Sequence, residues 1–176
     1  MPPATLRLFF AAPCPPALAA RIDTWREAQQ LAGRVTPRAD LHLTLAFLGH
    51  LPAERLPLLE RIPSRLPLAE LACELHLDSL ACWRGGLLHL APPQVPAELL
   101  RLARELRTAL DEAGIASDSR PYRPHLTLAR NSRMPTSFEP VEFAWPVEEL
   151  VLYRSWQARY EALRSWPLGA TAQSCD

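Results

Sequence analysis

The sequence predicts an α+β fold with mostly antiparallel sheets. Short apolar runs typical of strands intermix with two longer stretches of helical periodicity, without the regular strand–helix alternation of a parallel sheet. Nineteen prolines and six glycines divide the 176 residues into short segments, and such residues mark turns. The length is that of one domain, so we expect residues 1–176 to form a single domain.

The first half of the chain begins with a predicted buried strand and a helix. Leu6–Ala12 is an apolar run that stops at Pro13, and Pro15 begins a proline pair that can open a helix. Apolar residues then recur at helical spacing from Leu18, which predicts a helix that ends at Gly33. The next predicted elements are a strand over Leu41–Leu48 that Gly49 terminates, a short helix over Pro52–Ile62, and strands over Glu70–Ser79 and Leu87–Ala91.

The second half is predicted to contain one long helix and then only strands. The helix is expected over Pro96–Ala113, where four leucines form an apolar stripe. Gly114 supplies the left-handed residue that commonly follows a helix. The strands are expected at His125–Arg130, Val141–Trp145, Leu150–Tyr153 and Tyr160–Trp166. We expect residues 170–176 to be a frayed tail.

Composition excludes several classes of protein. Nineteen basic residues balance nineteen acidic ones, which argues against charge-driven disorder and a polybasic tail. Every basic residue is arginine, so lysine Schiff-base chemistry and a P-loop lysine are excluded. No apolar run is long enough to span a bilayer, and the N-terminal segment does not have the pattern of a signal peptide. The four cysteines include no Cys-x-x-Cys pair, so we expect a cytoplasmic protein without membrane association, zinc ribbon or disulfides.

One pentapeptide occurs twice. The sequence His-Leu-Thr-Leu-Ala at 42–46 recurs at 125–129, nearly half a chain length later. Because side chains alternate along a strand, the His and Thr of each copy face one way and the two leucines face the other. The chain has only five histidines, so two of them in matching strand contexts favour a function for this pair.

Two such strands facing each other would place two imidazoles and two hydroxyls around one cavity. Imidazole can act as acid or base near neutral pH, and a threonine hydroxyl can donate to a phosphate oxygen without adding charge. This set suits an in-line displacement at phosphorus, in which one imidazole protonates the leaving oxygen and the other deprotonates the nucleophile. We therefore predict His42 and His125 as catalytic residues, and Thr44 and Thr127 as phosphate-binding residues.

The stretch from 119 to 138 carries four arginines and no acidic residue, which creates a local positive field suited to a phosphate ligand. Arg130 lies three residues past Thr127 and is the predicted phosphate-binding arginine. Arg123 and Tyr122 are further candidates for substrate contact. Phe47 could also stack on a base, although core packing is the favoured role for its ring.

The other three histidines are expected to be structural or exposed, because their positions have no metal-ligand spacing. They are His50, His76 and His89. We therefore expect the protein to use neither a metal ion nor a cofactor.

With their flanking residues, the two His-x-Thr-x motifs resemble the two-histidine phosphoesterases, specifically the RNA 2′,3′-cyclic phosphodiesterases, also called 2′-5′ RNA ligases. The resemblance covers about Leu6 to Gly169 and rests on segments 7–10, 41–49, 123–130 and 160–168. It implies two pseudo-symmetric lobes around a central cleft, each of which donates one motif. It also implies metal-independent hydrolysis of an RNA terminal 2′,3′-cyclic phosphate to a 2′-phosphate, and reversible 2′-5′ ligation. It assigns His42 as proton donor and His125 as proton acceptor.

Two alternative functions remain open at this point. The same chemistry could act on small cyclic nucleotides or 2′-5′ oligoadenylates, or the fold could serve as a nucleotide-binding module without turnover. The presence of both motifs argues against a binding module, because binding alone does not require two proton-transfer groups. The expected partners are RNA ends or small nucleotides that bear a 2′,3′-cyclic phosphate, and we expect a monomer.

Overall fold

Antiparallel pairing organises the whole fold. The structure, a computed structural model, describes residues 4–118, 120–157 and 159–170. The strands are β1 (Thr5–Pro13), β2 (Arg34–Val35), β3 (His42–Pro52), β4 (Cys73–Leu77), β5 (Ser79–Trp83), β6 (Leu87–Ala91), β7 (Leu126–Arg130), β8 (Phe143–Val147), β9 (Glu149–Trp156) and β10 (Arg159–Pro167). The α-helices are α1 (Pro16–Ala28), α2 (Leu56–Arg61) and α3 (Ala97–Glu112). The predicted α+β class with antiparallel sheets is confirmed.

An eight-stranded sheet runs through the described residues in the order β10-β9-β1-β3-β7-β6-β5, with β2 paired to β7. Strands β4 and β8 form a separate two-stranded sheet. The halves of the large sheet join where β3 pairs with β7 at Leu43 and Leu126. Each of these leucines follows the histidine of its own motif, so the two motifs are related by a local two-fold axis at this pair.

The leucine faces of the motif strands form the centre of the core. Leu43, Leu126 and Leu128 are 0% exposed, and α3 packs against β3. The predicted leucine stripe of α3 is confirmed, because its four members are fully buried: Leu99, Leu102, Leu106 and Leu110. This packing fixes the backs of the motif strands and leaves their polar faces outward.

Two predicted boundaries set by glycine are wrong. Helix α1 ends at Ala28 and not at Gly33, because the chain turns at Gln30, which has a φ of 48°. Gly33 instead lets the chain approach the end of β7 closely, as a Cβ atom there would lie 2.5 Å from the carbonyl oxygen of Arg130. Strand β3 continues through Gly49 to Pro52, because Gly49 pairs with Leu8 beside an irregularity in the register.

Other elements differ from the sequence predictions at their ends. The strand expected from Glu70 begins at Cys73, because a 3₁₀ turn occupies Leu68–Glu70. The helix expected over Pro52–Ile62 is a 3₁₀ turn at Ala53–Arg55 followed by α2, whose first turn contains Pro57. Strands β2 and β5 were not predicted. The expected tail lies outside the described residues beyond position 170.

Candidate active site

The four polar residues of the two motifs lie on one face of the sheet. Since Leu43 pairs with Leu126 in an antiparallel register, His42 lies across from Thr127 and Thr44 lies across from His125. Both leucines point into the core, so the side chains on either side of them point to the opposite face. The structure therefore brings together the four residues that the repeat predicted.

Backbone carbonyls orient both imidazoles. The Nδ1 atom of His42 is 2.7 Å from the carbonyl oxygen of Asp40, and the Nδ1 atom of His125 is 2.8 Å from that of Arg123. A carbonyl can only accept, so each Nδ1 carries a proton and donates it. The Nε2 atom of each ring is thus available for proton transfer. In His42 this atom lies 3.0 Å from the hydroxyl oxygen of Thr44.

His42 is surrounded by aromatic rings. Its ring centroid is 5.2 Å from that of Phe9, 5.0 Å from Tyr160 and 6.5 Å from Tyr153. Burial in this setting lowers the pKa of His42, and the nearby positive charges of His125 and Arg130 lower it further.

His125 has a different set of neighbours. Its ring centroid is 4.5 Å from that of Trp83 and 5.5 Å from that of His89. Burial lowers the pKa of His125, and the charges of His89 and Arg130 add to this effect. His89 was expected to be structural or exposed. The structure buries it, at 2% exposed, beside His125, because β6 pairs with β7 and sets His89 opposite Thr127.

Both motif strands contain an extra residue after the motif threonine. In β3 the register moves from Thr44 to Ala46 while the partner advances by one residue, and in β7 it moves from Thr127 to Ala129 in the same way. Such a bulge interrupts the alternation of side chains. The next residue of each strand, Phe47 or Arg130, then emerges on the histidine face.

The bulges explain the positions of two predicted contacts. Arg130 is exposed at the end of β7, and its positive charge lowers the pKa of both His42 and His125. Phe47 is 39% exposed, and the guanidinium of Arg7 lies 4.8 Å from its ring centre. The expectation that Phe47 packs in the core is therefore wrong.

A cavity of about 580 Å³ opens beside Thr44 and His125. We call it the arginine cavity, because its walls include Arg84, Arg107, Arg120 and Arg123 together with the rings of Phe47, Trp83 and Tyr122. Its size is that of a small-ligand site. The hydroxyl of Tyr122 is buried and has no hydrogen-bond partner among the residues described. Tyr122 therefore lines the cavity with its ring and not with its hydroxyl.

The positive field of this region is weaker than the sequence predicts. Asp118 lies just before the acid-free stretch and forms an ion pair with Arg120, which lowers the pKa of the carboxyl group to about 2. Arg107 donates to the carbonyl of Arg120 at 2.8 Å. Arg84 and Arg123 form no side-chain hydrogen bond or ion pair with the residues described, and they are the cavity cations best able to meet a ligand.

Among the residues that the structure describes, the other reactive side chains do not form a second centre. In the described part of the chain, no group of three His, Cys, Asp or Glu side chains could hold a metal ion. Burial raises the pKa of the Cys14 thiol to about 12 and that of Cys73 to about 11, so neither is a thiolate at neutral pH. No described helix is long and apolar enough to cross a membrane.

Paired His-x-Thr strands that share one face of a sheet are the arrangement that the resemblance to the two-histidine phosphoesterases predicts. The family model described as the 2′-5′ RNA ligase superfamily matches residues 14–158. The chain belongs to this superfamily, as the sequence resemblance predicted.

Similar proteins are known from several bacteria. The RNA 2′,3′-cyclic phosphodiesterase of Escherichia coli is 34% identical over 171 residues, covering 92% of this chain and 96% of the relative. The protein of the same name from Thermus thermophilus is 33% identical over 162 residues, covering 85% of this chain and 82% of the relative. The crystal structure of E. coli LigT complexed with 3′-AMP superposes with a TM-score of 0.82 at 33% identity, covering 94% of this chain and 99% of LigT.

Proposed function

We propose that this protein hydrolyses the terminal 2′,3′-cyclic phosphate of RNA to a 2′-phosphate by acid–base catalysis with two histidines. The pairing of the motif strands carries the proposal, because it sets His42 and Thr44 on one face with His125 and Thr127. The bulge in β7 turns Arg130 toward the same face. The names of the relatives agree with this activity. We further propose that both halves of the sheet act as one domain, in a cytoplasmic monomer.

The threonines and Arg130 bind the cyclic phosphate. A hydroxyl donates one hydrogen bond, and a guanidinium donates several in a fixed planar array. Charge builds up on the phosphoryl oxygens during displacement, so donors aimed at these oxygens stabilise the transition state.

The two imidazoles move the protons. His125 takes a proton from water at Nε2 as the water oxygen forms a bond to phosphorus. The bond from phosphorus to the 3′-oxygen breaks, and His42 gives that oxygen a proton from Nε2. The products are a 2′-phosphate and a free 3′-hydroxyl. Because attack and departure occur on opposite sides of phosphorus, one histidine on each side meets the requirement.

The surroundings of the two rings favour this division of roles. Aromatic faces attract cations within about 6 Å, so the rings of Phe9 and Tyr160 favour a proton on His42 and oppose the effect of burial, which lowers its pKa. His125 lies beside the ring of Trp83 and also beside a second imidazole, that of His89, whose protonation would oppose a positive charge on His125. An anionic phosphate bound between the rings raises the pKa of both. Beyond the proton on each Nδ1, the active pair carries one further proton, and it resides on Nε2 of His42.

The same site can join RNA ends. If a 5′-hydroxyl takes the place of water, His125 deprotonates it, and loss of the 3′-oxygen leaves a 2′-5′ phosphodiester. The reverse path regenerates the cyclic phosphate. Hydrolysis and ligation therefore use the same two proton transfers, one at His125 and one at His42.

The arginine cavity favours an RNA end over a lone nucleotide. Arg84 and Arg123 line this cavity and Arg130 does not, so these two arginines can meet a second phosphate. We expect Arg84→Ala and Arg123→Ala to raise KM for a short RNA several-fold and to change KM for a nucleoside 2′,3′-cyclic phosphate little. An equal effect on both substrates would favour the small-nucleotide function instead.

The direct test is turnover of a short RNA that ends in a 2′,3′-cyclic phosphate, with the product phosphate located on the 2′- or 3′-oxygen. His42→Ala and His125→Ala should each lower kcat by about 10²- to 10⁴-fold. His76→Gln is the matched control, because His76 lies on β4 in the small sheet and pairs with Glu74. A 3′-phosphate product, or normal turnover in either alanine variant, would contradict the proposal.

The division of roles has its own test. A substrate with a better leaving group at the 3′-position needs no proton there. It should restore turnover to His42→Ala and leave His125→Ala slow. Restoration of His125→Ala alone would reverse the assignment.

A further inference from the structure

His89 has the local geometry of the two motif histidines. Its Nδ1 atom lies 3.1 Å from the carbonyl oxygen of Leu87, two residues earlier in the chain. His42 and His125 make the same bond to the carbonyl two residues before them. The three rings are therefore held in the same tautomer, with Nε2 left for other interactions.

His89 is packed into the site and away from bulk water. It is 2% exposed, its ring lies 4.3 Å from Trp83 and 5.5 Å from His125, and its register partner on β7 is Thr127. A buried imidazole is a costly choice for packing alone, and an aromatic hydrocarbon side chain would fill similar space.

We propose that His89 is a positioning residue that keeps His125 in its neutral, proton-accepting form. The inference rests on the proposed role of His125. His89 and Trp83 pack against the His125 ring, and the imidazole of His89 competes with it for protons.

Electrostatic repulsion gives the physical basis. Two imidazoles in contact cannot both bind a proton without mutual repulsion, so they titrate as a pair. Burial is the largest cause that lowers the pKa of His125, and repulsion from His89 adds to it whenever His89 is protonated; burial lowers the pKa of His89 as well, so the two rings compete for one proton. The other charged or titratable groups that face His125 are Arg130 on its own strand, His42 on β3, and Arg84, Arg107, Asp118, Arg120 and Arg123 around the arginine cavity.

The test compares His89→Gln, which removes charge and ring, with His89→Phe, which removes charge and keeps a ring. The pKa of His125 is measured by NMR titration in the intact protein, and kcat/KM is measured against pH. In both variants we expect the pKa of His125 and the acidic limb of kcat/KM to move to higher pH by the same amount. Below that limb kcat/KM should fall in proportion to this shift, and His89→Phe should keep most of its plateau kcat. His76→Gln should change neither quantity.

Unchanged titration of His125 in both variants would overturn the inference, even if kcat falls, and would leave His89 with a packing role. The His89→Phe variant carries the test if His89→Gln does not fold. Failure of the proposed function is distinguishable, because it appears as normal turnover in His125→Ala. The NMR titration of His125 does not depend on turnover.

Discussion

Replacing Gly33 with alanine tests how the turn before β2 positions the second motif. Gly33 has a φ of +86°, and an added Cβ atom would lie 2.5 Å from the carbonyl oxygen of Arg130 and 2.6 Å from that of Asn131. Both are backbone atoms that cannot rotate away. The end of β7, which carries Arg130, must therefore move.

The magnitude follows from two contributions. A left-handed backbone costs an L-residue about 1–2 kcal/mol, and forcing atoms into a packed site costs about 1–3 kcal/mol more. We expect Gly33→Ala to lower the free energy of unfolding by about 2–5 kcal/mol. Gly114→Ala is the matched control, since Gly114 has a φ of +68° and nothing lies within 4 Å of its Cβ position. Gly114→Ala should lower the free energy of unfolding only by the cost of the left-handed backbone, about 1–2 kcal/mol.

The assay is urea unfolding of both variants, together with kcat/KM on a short RNA that ends in a 2′,3′-cyclic phosphate. A displacement of about 1 Å in a catalytic group can cost about 10²-fold in rate, so Gly33→Ala should lose activity under conditions where it is folded. Gly114→Ala should keep its activity. Equal stability and equal activity in the two variants would refute the reasoning.

Three other predictions concern the site itself. Thr44→Ala and Thr127→Ala should each lower kcat by about 10²- to 10³-fold, with little change in thermal unfolding, because each removes one transition-state donor; near-normal kcat in both would assign these hydroxyls no role. Turnover should survive EDTA, because imidazole, hydroxyl and guanidinium groups carry the proposed chemistry; loss on chelation and restoration by a divalent ion would contradict it. The pKa values of His42, His89 and His125 are lowered in the fold, so the unfolded chain binds protons more readily, and the free energy of unfolding should fall as pH drops below about 6.5. Urea unfolding at about pH 7.5 and about pH 5.5, on either side of that value, should show this fall, and it should be smaller in His89→Phe.

The sequence by itself determined the two motifs and the faces on which they lie. Alternation along a strand is a local property with a period of two residues. The repeat therefore assigned His42 and Thr44 to one face of their strand and the leucines to the other. It assigned His125 and Thr127 in the same way. The leucine stripe of α3 was readable for the same reason, because helical periodicity is also local.

Only the tertiary structure decided what surrounds the motifs. The bulge after each motif threonine depends on the register of the neighbouring strand, so the sequence did not reveal that Phe47 and Arg130 emerge on the histidine face. His89 lies beside His125 because β6 pairs with β7. Gly33 lies against the end of β7 because β2, which follows Gly33, also pairs with β7. These contacts join residues far apart in the chain. Their positions are set by strand pairing and core packing, which no local pattern encodes.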